Sequence, residues 1–251
     1  AANNVALYIS GTRPTGNLTN AILVSSNGTG TVTIGSDATV TGNNPMGFSG
    51  ITLQRDLRLD SNAADRTDYN GITGTGNVTF IGTGRTVLGL GLANTFTGTM
   101  TLAGTGRVQI GAATGGTLNG IPDNATVVIN AGSELAMSAG AEIIGGLSGA
   151  GNITTNSYAG TLTVGTGNAT STFTGNIGEM SGFALGLTKV GNGTLTLSGA
   201  NTFTGGLQVG TLTQAGGTVE LNGANAFGAL TVFAGTVKVG AALANTGSIT
   251  L

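Results

Sequence analysis

A short strand followed by a tight glycine corner recurs along the whole chain, and this pattern limits the fold more than any other feature. In each strand apolar residues alternate with polar ones, as in Thr31–Ile34 and Leu195–Leu197. Such alternation is typical of a half-buried β-strand, and threonine suits its outward positions because the β-branch fits a pleated surface. Glycine supplies the positive φ angles of tight corners. The alternation recurs at 78–80, 108–110, 162–164, 219–221 and 237–239, and the corners lie at 27–30, 74–77, 104–107, 149–152, 191–194 and 216–218.

A second repeated element is the hexapeptide Ala-Asn-Thr-Phe-Thr-Gly. It occurs at Ala93–Gly98 and again, letter for letter, at Ala200–Gly205. Recurrence of one motif indicates a repeat architecture, in which equivalent residues stack from one repeat to the next. We therefore expect the asparagines to form turns and stacked ladders and the phenylalanines to stack in the core. The structural repeat residues are Asn94, Phe96, Gly98, Asn201, Phe203 and Gly205.

Two all-β architectures are compatible with these patterns: a sandwich or barrel of hairpins, and a right-handed parallel β-helix (β-solenoid). The solenoid is favoured because its coils place identical residues in stacked ladders, whereas a propeller usually carries a longer, more regular aromatic signature in each blade. Coils of roughly 20–25 residues predict an elongated β-helix of about ten to twelve irregular coils. At about 4.8 Å per strand, this is a rod about 50 Å long. Helical spacing is nearly absent, since the best candidate, 133–144, is interrupted by Gly140.

The repeats are unevenly distributed along the chain. Residues 1–70 are the least repetitive, and we expect less regular coils with a charged loop there. Residues 71–251 carry the repeats and are expected to form the regular β-helix, so that both parts make one continuous solenoid. The chain starts without methionine and stops at Leu251 in what reads as a strand, which predicts a piece of a longer protein.

Composition excludes several classes of function. The 251 residues contain no Cys, His or Trp, so a Ser-His-Asp triad, a Cys-His dyad, a disulfide and a usual zinc site are all absent. A net charge of −2 gives no basic surplus for nucleic acid. We expect no cofactor and no metal. The 39% apolar content argues against disorder. The sequence contains no run of about 18 apolar residues, so we expect no membrane insertion by this segment.

Charge is concentrated between residues 55 and 68, which hold seven of the 18 charged side chains. Four aspartates there are compatible with a glycosidase-type carboxylate pair or with calcium ligands. Interleaved acids and arginines favour instead a solvated loop with local ion pairs, and an interaction loop is the second interpretation. The candidate binding residues are Arg55, Asp56, Arg58, Asp60, Asp65, Arg66 and Asp68, and no catalytic residue is assigned.

The stretch 187–206 (Leu-Thr-Lys-Val-Gly-Asn-Gly-Thr-Leu-Thr-Leu-Ser-Gly-Ala-Asn-Thr-Phe-Thr-Gly-Gly) resembles the passenger-associated repeat of autotransporters, which are secreted proteins of Gram-negative bacteria. Segments 145–154 and 160–165 resemble what often precedes that repeat. The match covers 143–240, is recognisable at 74–111 and is thin before residue 70. The resemblance implies a right-handed parallel β-helix carried outside the cell, and it implies no particular ligand.

Three functions remain open from the sequence. The first is an extracellular structural or adhesive module, a rigid stalk without catalysis whose partners are host or neighbouring cell-surface molecules. The second is a subunit of an extracellular fibre that assembles with copies of itself by end-to-end β-stacking. The third is a polysaccharide-degrading β-helix enzyme, which ranks last because the acidic cluster has few aromatics near it.

Overall fold

The structure is a computed structural model. It describes residues 3–9, 20–40, 46–62, 66–89, 91–111, 120–138, 140–156, 158–180, 182–241, 243–245 and 247–251. The strands within these residues are, in chain order, β1 Val5–Ile9, β2 Ile22–Val24, β3 Val32–Ser36, β4 Met46–Leu53, β5 Leu57–Ser61, β6 Arg66–Gly74, β7 Val78–Phe80, β8 Arg85–Leu88, β9 Thr99–Leu102, β10 Arg107–Ile110, β11 Thr126–Ile129, β12 Glu134–Met137, β13 Gly140–Ile144, β14 Gly146–Gly149, β15 Asn152–Thr155, β16 Gly160–Val164, β17 Ser171–Phe173, β18 Asn176–Ile177, β19 Leu185–Lys189, β20 Thr194–Leu197, β21 Asn201–Phe203, β22 Leu207–Val209, β23 Thr218–Leu221, β24 Asn225–Phe227, β25 Leu230–Val232, β26 Thr236–Val239, β27 Leu243–Asn245 and β28 Ile249–Thr250.

The strands form parallel sheets that stack coil upon coil, which confirms the predicted all-β parallel β-helix. The long sheet has 11 strands in the order β1-β3-β5-β7-β9-β11-β14-β17-β20-β23-β26, one from each successive coil. Coil length varies along the chain, because Val5 pairs with the distant Val32 near the start, whereas Thr218 pairs with the much closer Thr236 near the end.

The number of strands in each coil changes along the chain. A second sheet of eight strands (β18-β15-β12-β10-β8-β6-β4-β2) accompanies the long sheet from the first coils onward. A third sheet of six strands (β13-β16-β19-β22-β25-β28) begins only at β13. A short sheet, β21-β24-β27, starts where β21 packs beside β18. Before β13 the third side of the coil therefore has no sheet among the described residues.

Alternation along each strand sends apolar side chains inward, where they stack in columns from coil to coil. One column of the long sheet contains Leu59, Phe80 and Leu102, all nearly inaccessible to solvent. Rings stack within this interior: the Phe203 and Phe227 centroids are 5.5 Å apart.

The weak helical candidate at 133–144 forms β12 and β13 instead. Among the described residues no helix is long and apolar enough to cross a membrane.

Candidate functional site

The charged segment 55–68 is divided between two sheets and is mostly strand. The expectation of a charged loop is wrong for the described residues, because β5 and β6 occupy 57–61 and 66–74. Arg58 and Asp60 lie in the long sheet, whereas Arg66 and Asp68 lie in the second sheet. Asp65 lies outside the described residues. The predicted single cluster is thus separated into two groups that face different sides of the solenoid.

Arg55 and Asp56 hold neighbouring corners together. The Arg55 guanidinium donates to the Gly28 carbonyl at 2.6 Å and also to the Gly30 carbonyl, both in the preceding coil. Asp56 Oδ1 accepts from the Asn77 main-chain N–H at 2.8 Å and from its Nδ2 at 3.1 Å, in the following coil. Both side chains therefore satisfy polar groups of adjacent coils, which is a structural role.

Asp60 forms a contact that the sequence did not reveal. Its Oδ2 accepts a hydrogen bond from the Tyr8 hydroxyl at 2.7 Å, and its Oδ1 accepts from Asn62 Nδ2 at 2.6 Å. Desolvation, with the hydrogen bond to Asp60, raises the pKa of the Tyr8 hydroxyl. Tyr8 precedes Asp60 by 52 residues, so only the lengths of two coils bring them together. Tyr69, the aromatic closest in sequence, is fully buried in the core instead.

On the second sheet, charges form a column along the first positions of successive strands. Arg66 pairs with Asp68 at 3.1 Å and lies in register with Arg85, while Arg107 pairs with Glu134 at 3.1 Å. Asp68 is only 4% exposed, so its ion pair with Arg66 prevents an uncompensated buried charge. The local pairing expected from interleaved charges is confirmed for Arg66 and Asp68.

A groove of about 570 Å³ lies on the outer face of the long sheet, and we call it the charged groove. Arg58 is exposed there, between Thr33 and Thr79 of the neighbouring strands. Asp56 and Asp60 are four residues apart in extended chain, so they lie roughly 13 Å apart, beyond the ~5–9.5 Å of glycosidase carboxylate pairs. The groove is lined by 28–32, 55–58 and Thr79.

No metal centre is assembled in the described part of the chain. Among those residues, no group of three or more His, Cys, Asp or Glu side chains is placed to hold a metal ion. Four carboxylates near the charged groove and the second-sheet column have arginine, tyrosine or main-chain donors as partners. They are those of Asp56, Asp60, Asp68 and Glu134. The arrangement can bind through Arg58 and the hydroxyls of Thr33 and Thr79. Among the described residues of the segment, no two carboxylates face one substrate position.

The repeat asparagines and phenylalanines lie inside the solenoid, and the phenylalanines were predicted there. Asn94 and Asn201 are 0% exposed, and Phe96 and Phe203 are buried with them. Asn201 Nδ2 donates to Asn225 Oδ1 of the next coil at 2.7 Å, which is the expected asparagine ladder.

The repeat glycines are required by close approach. A Cβ on Gly98 would lie 2.4 Å from the Gly76 carbonyl oxygen, and one on Gly205 would lie 2.4 Å from that of Leu185. Any side chain at these two positions would force adjacent coils apart.

The sequence patterns did not reveal two buried ionisable residues, of which Glu142 is the first. It is 2% exposed; it accepts from the Ile121 N–H at 2.9 Å and the Gly120 N–H at 3.3 Å. Burial raises its pKa to about 8, with a further contribution from Asp123. The alternation of the strand could have revealed it. Glu142 lies two positions before the buried Ile144, and residues two apart in a strand face the same side.

Lys189 is the second such residue. It occupies an inward position whose register partners are Val164 and Val209, and it is 1% exposed. Its ammonium donates to the carbonyls of Val190 at 2.6 Å, Gly191 at 3.0 Å and Gly216 at 3.3 Å. Burial lowers the pKa of Lys189. Three acceptors match its three N–H donors, so this lysine ties a glycine corner to the next coil.

Comparison with known proteins adds no assignment. No family model matches the sequence, and neither the curated proteins nor the solved structures compared with it include a match.

Proposed function

We propose that this chain is an extracellular structural or adhesive module, a rigid passenger-type β-helical stalk that performs no catalysis. The observation that carries the proposal is the unbroken register of the long sheet, in which 11 parallel strands follow one another coil by coil. Such stacking distributes stability along one axis and suits a rod that holds binding surfaces away from an anchor. Its place on the surface of a Gram-negative bacterium follows from the resemblance of 187–206 to the autotransporter repeat.

The interior contacts support rigidity. Asn94, Asn201 and Lys189 each bond main-chain or side-chain groups of neighbouring coils from positions closed to solvent. Buried polar groups that are fully paired favour one packing of the coils over others. On the outer face, two ion pairs, Arg107–Glu134 and Lys238–Glu220, likewise link neighbouring coils.

Surface location is tested on intact cells of the source organism. External protease should remove the antibody signal of the chain while a cytoplasmic marker protein persists. A signal that survives protease in intact cells and disappears only after lysis contradicts the surface role.

The rod itself is tested by negative-stain electron microscopy of the purified chain at two concentrations, where discrete rods about 50 Å long are expected at both.

Self-assembly into a fibre is the second candidate, and the exposure of the outermost strands favours it. In β1, Val5 and Leu7 are 59% and 45% exposed, and in β26 Val239 is 52% exposed. Their inward side chains continue core columns of the long sheet. Among the described residues, no further strand pairs with β1 or β26 in the long sheet. Unpaired strand edges recruit other edges.

Filaments of uniform width in the concentrated sample would support this second candidate over the monomeric stalk. They should disappear in Val239→Lys and in Ile249→Lys, which place a charge on outermost strands. Phe233→Lys is the matched control, because Phe233 is similarly exposed, at 49%, but lies in the turn before β26. Filaments that survive both strand variants exclude end-to-end stacking.

A further inference from the structure

The charged groove lies where one rung of the long sheet is open. Strand β3 pairs with β1 from its first residue, Val32, and β5 pairs with β7 from its first residue, Leu57. In between, β3 pairs with β5 only from Thr33 and Arg58 onward. The rung that would join Val32 to Leu57 is therefore missing, and the groove is lined by both of these residues.

The open rung leaves polar main-chain groups without partners. One coil further on, the Leu57 N–H donates to the Asn77 carbonyl at 2.9 Å, and the Asn77 N–H donates to Asp56 Oδ1 at 2.8 Å. Among the described residues, the equivalent bonds from the Val32 N–H to the Asp56 carbonyl and from the Asp56 N–H to the Thr31 hydroxyl are not formed. Val32 is half-buried and Asp56 is exposed, so a ligand in the groove can reach these groups.

Arginine side chains make the groove positive. Arg55 donates to the carbonyls of Gly28 and Gly30 in the preceding coil, which holds the two corners together beside the open rung. In the described part of the chain, neither Arg55 nor Arg58 forms an ion pair. The groove lining thus contains two guanidinium groups and one carboxylate, that of Asp56. This excess of positive charge favours an anionic ligand.

Arg58 is the group that can hold the anion. It is exposed on the outer face, and no described residue forms a hydrogen bond with its guanidinium. The parallel N–H donors of a guanidinium match two oxygens of a carboxylate or of a tetrahedral oxyanion. Arg55, in contrast, is already engaged by main-chain carbonyls and contributes only its charge.

The open rung itself favours a hydroxylated ligand. The Val32 N–H requires an acceptor and the Asp56 carbonyl requires a donor, and one hydroxyl group supplies both. A carboxylate supplies only acceptors. The groove is also lined by Thr29, Thr31 and Thr79, whose hydroxyls can exchange hydrogen bonds with further hydroxyl groups. An anion that is also rich in hydroxyl groups is an acidic saccharide.

An aromatic ring lies beside this groove. Tyr8, Gly35 and Asp60 are in register on three successive strands. Since Gly35 has no side chain, the Tyr8 ring can pass over that coil, and its hydroxyl donates to Asp60 Oδ2 at 2.7 Å. Desolvation is the main cause that raises the pKa of this hydroxyl, and the Arg58 charge acts in the opposite direction, so the guanidinium lies nearby. Tyr8 remains 42% exposed, and a ring fixed in this way offers an apolar face for packing on a sugar.

We propose that the charged groove and Tyr8 bind an acidic saccharide. Arg58 holds its carboxylate or sulfate group, and a sugar ring packs on Tyr8. One sugar hydroxyl fills the open rung between Val32 and Asp56. This rests on the adhesive part of the proposed function and gives it a ligand class. The purified chain can fail to bind while surface exposure on intact cells holds, and it can bind while surface exposure fails, so the two failures are distinguishable.

Isothermal titration calorimetry of the purified chain measures its affinity for four probes of equal length. They are tetragalacturonate, which bears carboxylates, partially sulfated cellotetraose, neutral cellotetraose, and a tetraglutamate peptide with both ends blocked. At least one acidic saccharide should bind about tenfold more tightly than neutral cellotetraose and the peptide, because only acidic saccharides combine anions with hydroxyls. The tighter of the two identifies the anion. An equally tight peptide, or acidic saccharides that bind no more tightly than the neutral one, overturns the proposal.

Hydrogen exchange followed by NMR tests the open rung. In the free chain, the amide of Val32 should exchange faster than the amide of Leu57, which is bonded to Asn77. A saturating concentration of the tighter acidic saccharide should slow the Val32 amide at least about fivefold, because a hydroxyl oxygen accepts its hydrogen bond. A Val32 amide that is already as protected as that of Leu57, or that does not respond to the saccharide, overturns the proposal.

Matched variants separate this site from general charge attraction. Arg58→Gln should weaken binding of the acidic saccharide about tenfold. Lys238→Gln removes the same charge from another exposed position of the long sheet and should leave the affinity unchanged. Tyr8→Leu should weaken binding about fivefold, whereas Tyr158→Leu, at a tyrosine 51% exposed, should not. Circular dichroism verifies that each variant is folded. Equal losses in Arg58→Gln and Lys238→Gln also overturn the proposal.

Discussion

Single polar side chains join the coils of this solenoid, and one hexapeptide performs the task twice. Asn94 Oδ1 accepts from Ile72 of the preceding coil at 2.9 Å, and its Nδ2 donates to Gly120 of the next at 2.7 Å. Asn201 repeats this pattern, accepting from Ile177 at 2.9 Å and donating onward to the next coil. The two identical hexapeptides therefore place their asparagines in the same role, although Asn201 lies in a strand and Asn94 does not.

Replacing Asn201 with leucine tests this role. The variant keeps a side chain of similar size but leaves the Ile177 N–H and the Asn225 amide oxygen buried without their partner. Each unpaired group costs about 1–3 kcal/mol, so the free energy of unfolding should fall by roughly 2–6 kcal/mol. Urea denaturation followed by circular dichroism measures it.

Thr202→Val is the matched control for Asn201→Leu, because Thr202 is the next residue of β21 and is exposed. It should change the unfolding free energy by less than about 0.5 kcal/mol. If both variants lose the same stability, the strand tolerates no substitution and the ladder has no special role.

At the residue scale, the inward phase of a strand could be predicted and long-range partners could not. Recurrence of the hexapeptide placed Phe96 and Phe203 in the core, where they are buried. Alternation along β19, with Leu185 and Leu187 inward, also places Lys189 inside, but a lysine is almost always exposed unless it is paired. The Tyr8–Asp60 contact depends on the lengths of two coils, and no local pattern encodes those.

At the element scale, side chains replace the backbone ladder where the third sheet is missing. Hydrogen bonds run from Ile72 to Asn94, from Asn94 to Gly120, and from Gly120 and Ile121 to Glu142. They link successive coils up to β13, and from there the third sheet continues with regular pairing. Glu142 therefore forms the joint at which coils with two sheets become coils with three.

This joint makes stability depend on pH in a defined direction. The pKa of Glu142 is about 8 in the folded chain, against an ordinary value of 4.5 for a glutamate, so the folded state binds more protons between these limits. Unfolding free energy should therefore fall as pH rises from about 5 to 8, by up to about 1.4 kcal/mol per pH unit. The chain has no histidine, so the background in this window is small.

Urea denaturation at pH 5, 6, 7 and 8 measures the effect in the original chain and in Glu142→Gln. The glutamine keeps one acceptor for the Ile121 N–H but does not titrate, so its stability should vary little over the same range. Glu179→Gln is the control variant, since the Glu179 carboxylate also accepts main-chain N–H groups. This substitution should leave the dependence of stability on pH unchanged. A slope that persists in Glu142→Gln refutes the assignment.

The sequence could predict strands but not the sheet to which each strand belongs. Coils differ in length, and each difference shifts the assignment of every later strand. For this reason the charged residues at 55–68 read as one loop, whereas Arg58 and Arg66 belong to different sheets. Corner length decides such assignments, and glycine and asparagine permit corners of many lengths.

At the scale of the whole molecule, each coil contacts mainly the coils before and after it. The long sheet pairs strands only with their immediate neighbours, so stability is close to a sum of coil and interface contributions. Damage to one coil should therefore spread to adjacent coils and not to the far end. Globular domains of smaller size usually lose structure everywhere at once.

Leu221→Ala tests this locality. Leu221 is fully buried in β23, between Leu197 and Val239 in its column, and the truncation should cost about 2–5 kcal/mol. Hydrogen exchange followed by mass spectrometry should show lost protection in β20, β23 and β26, while β4 to β10 keep theirs. Leu212→Ala, at a side chain 88% exposed, should alter neither region. Equal loss of protection from β4 to β26 would mean that the solenoid unfolds as one cooperative unit. That result would contradict the idea that damage to one coil stays local.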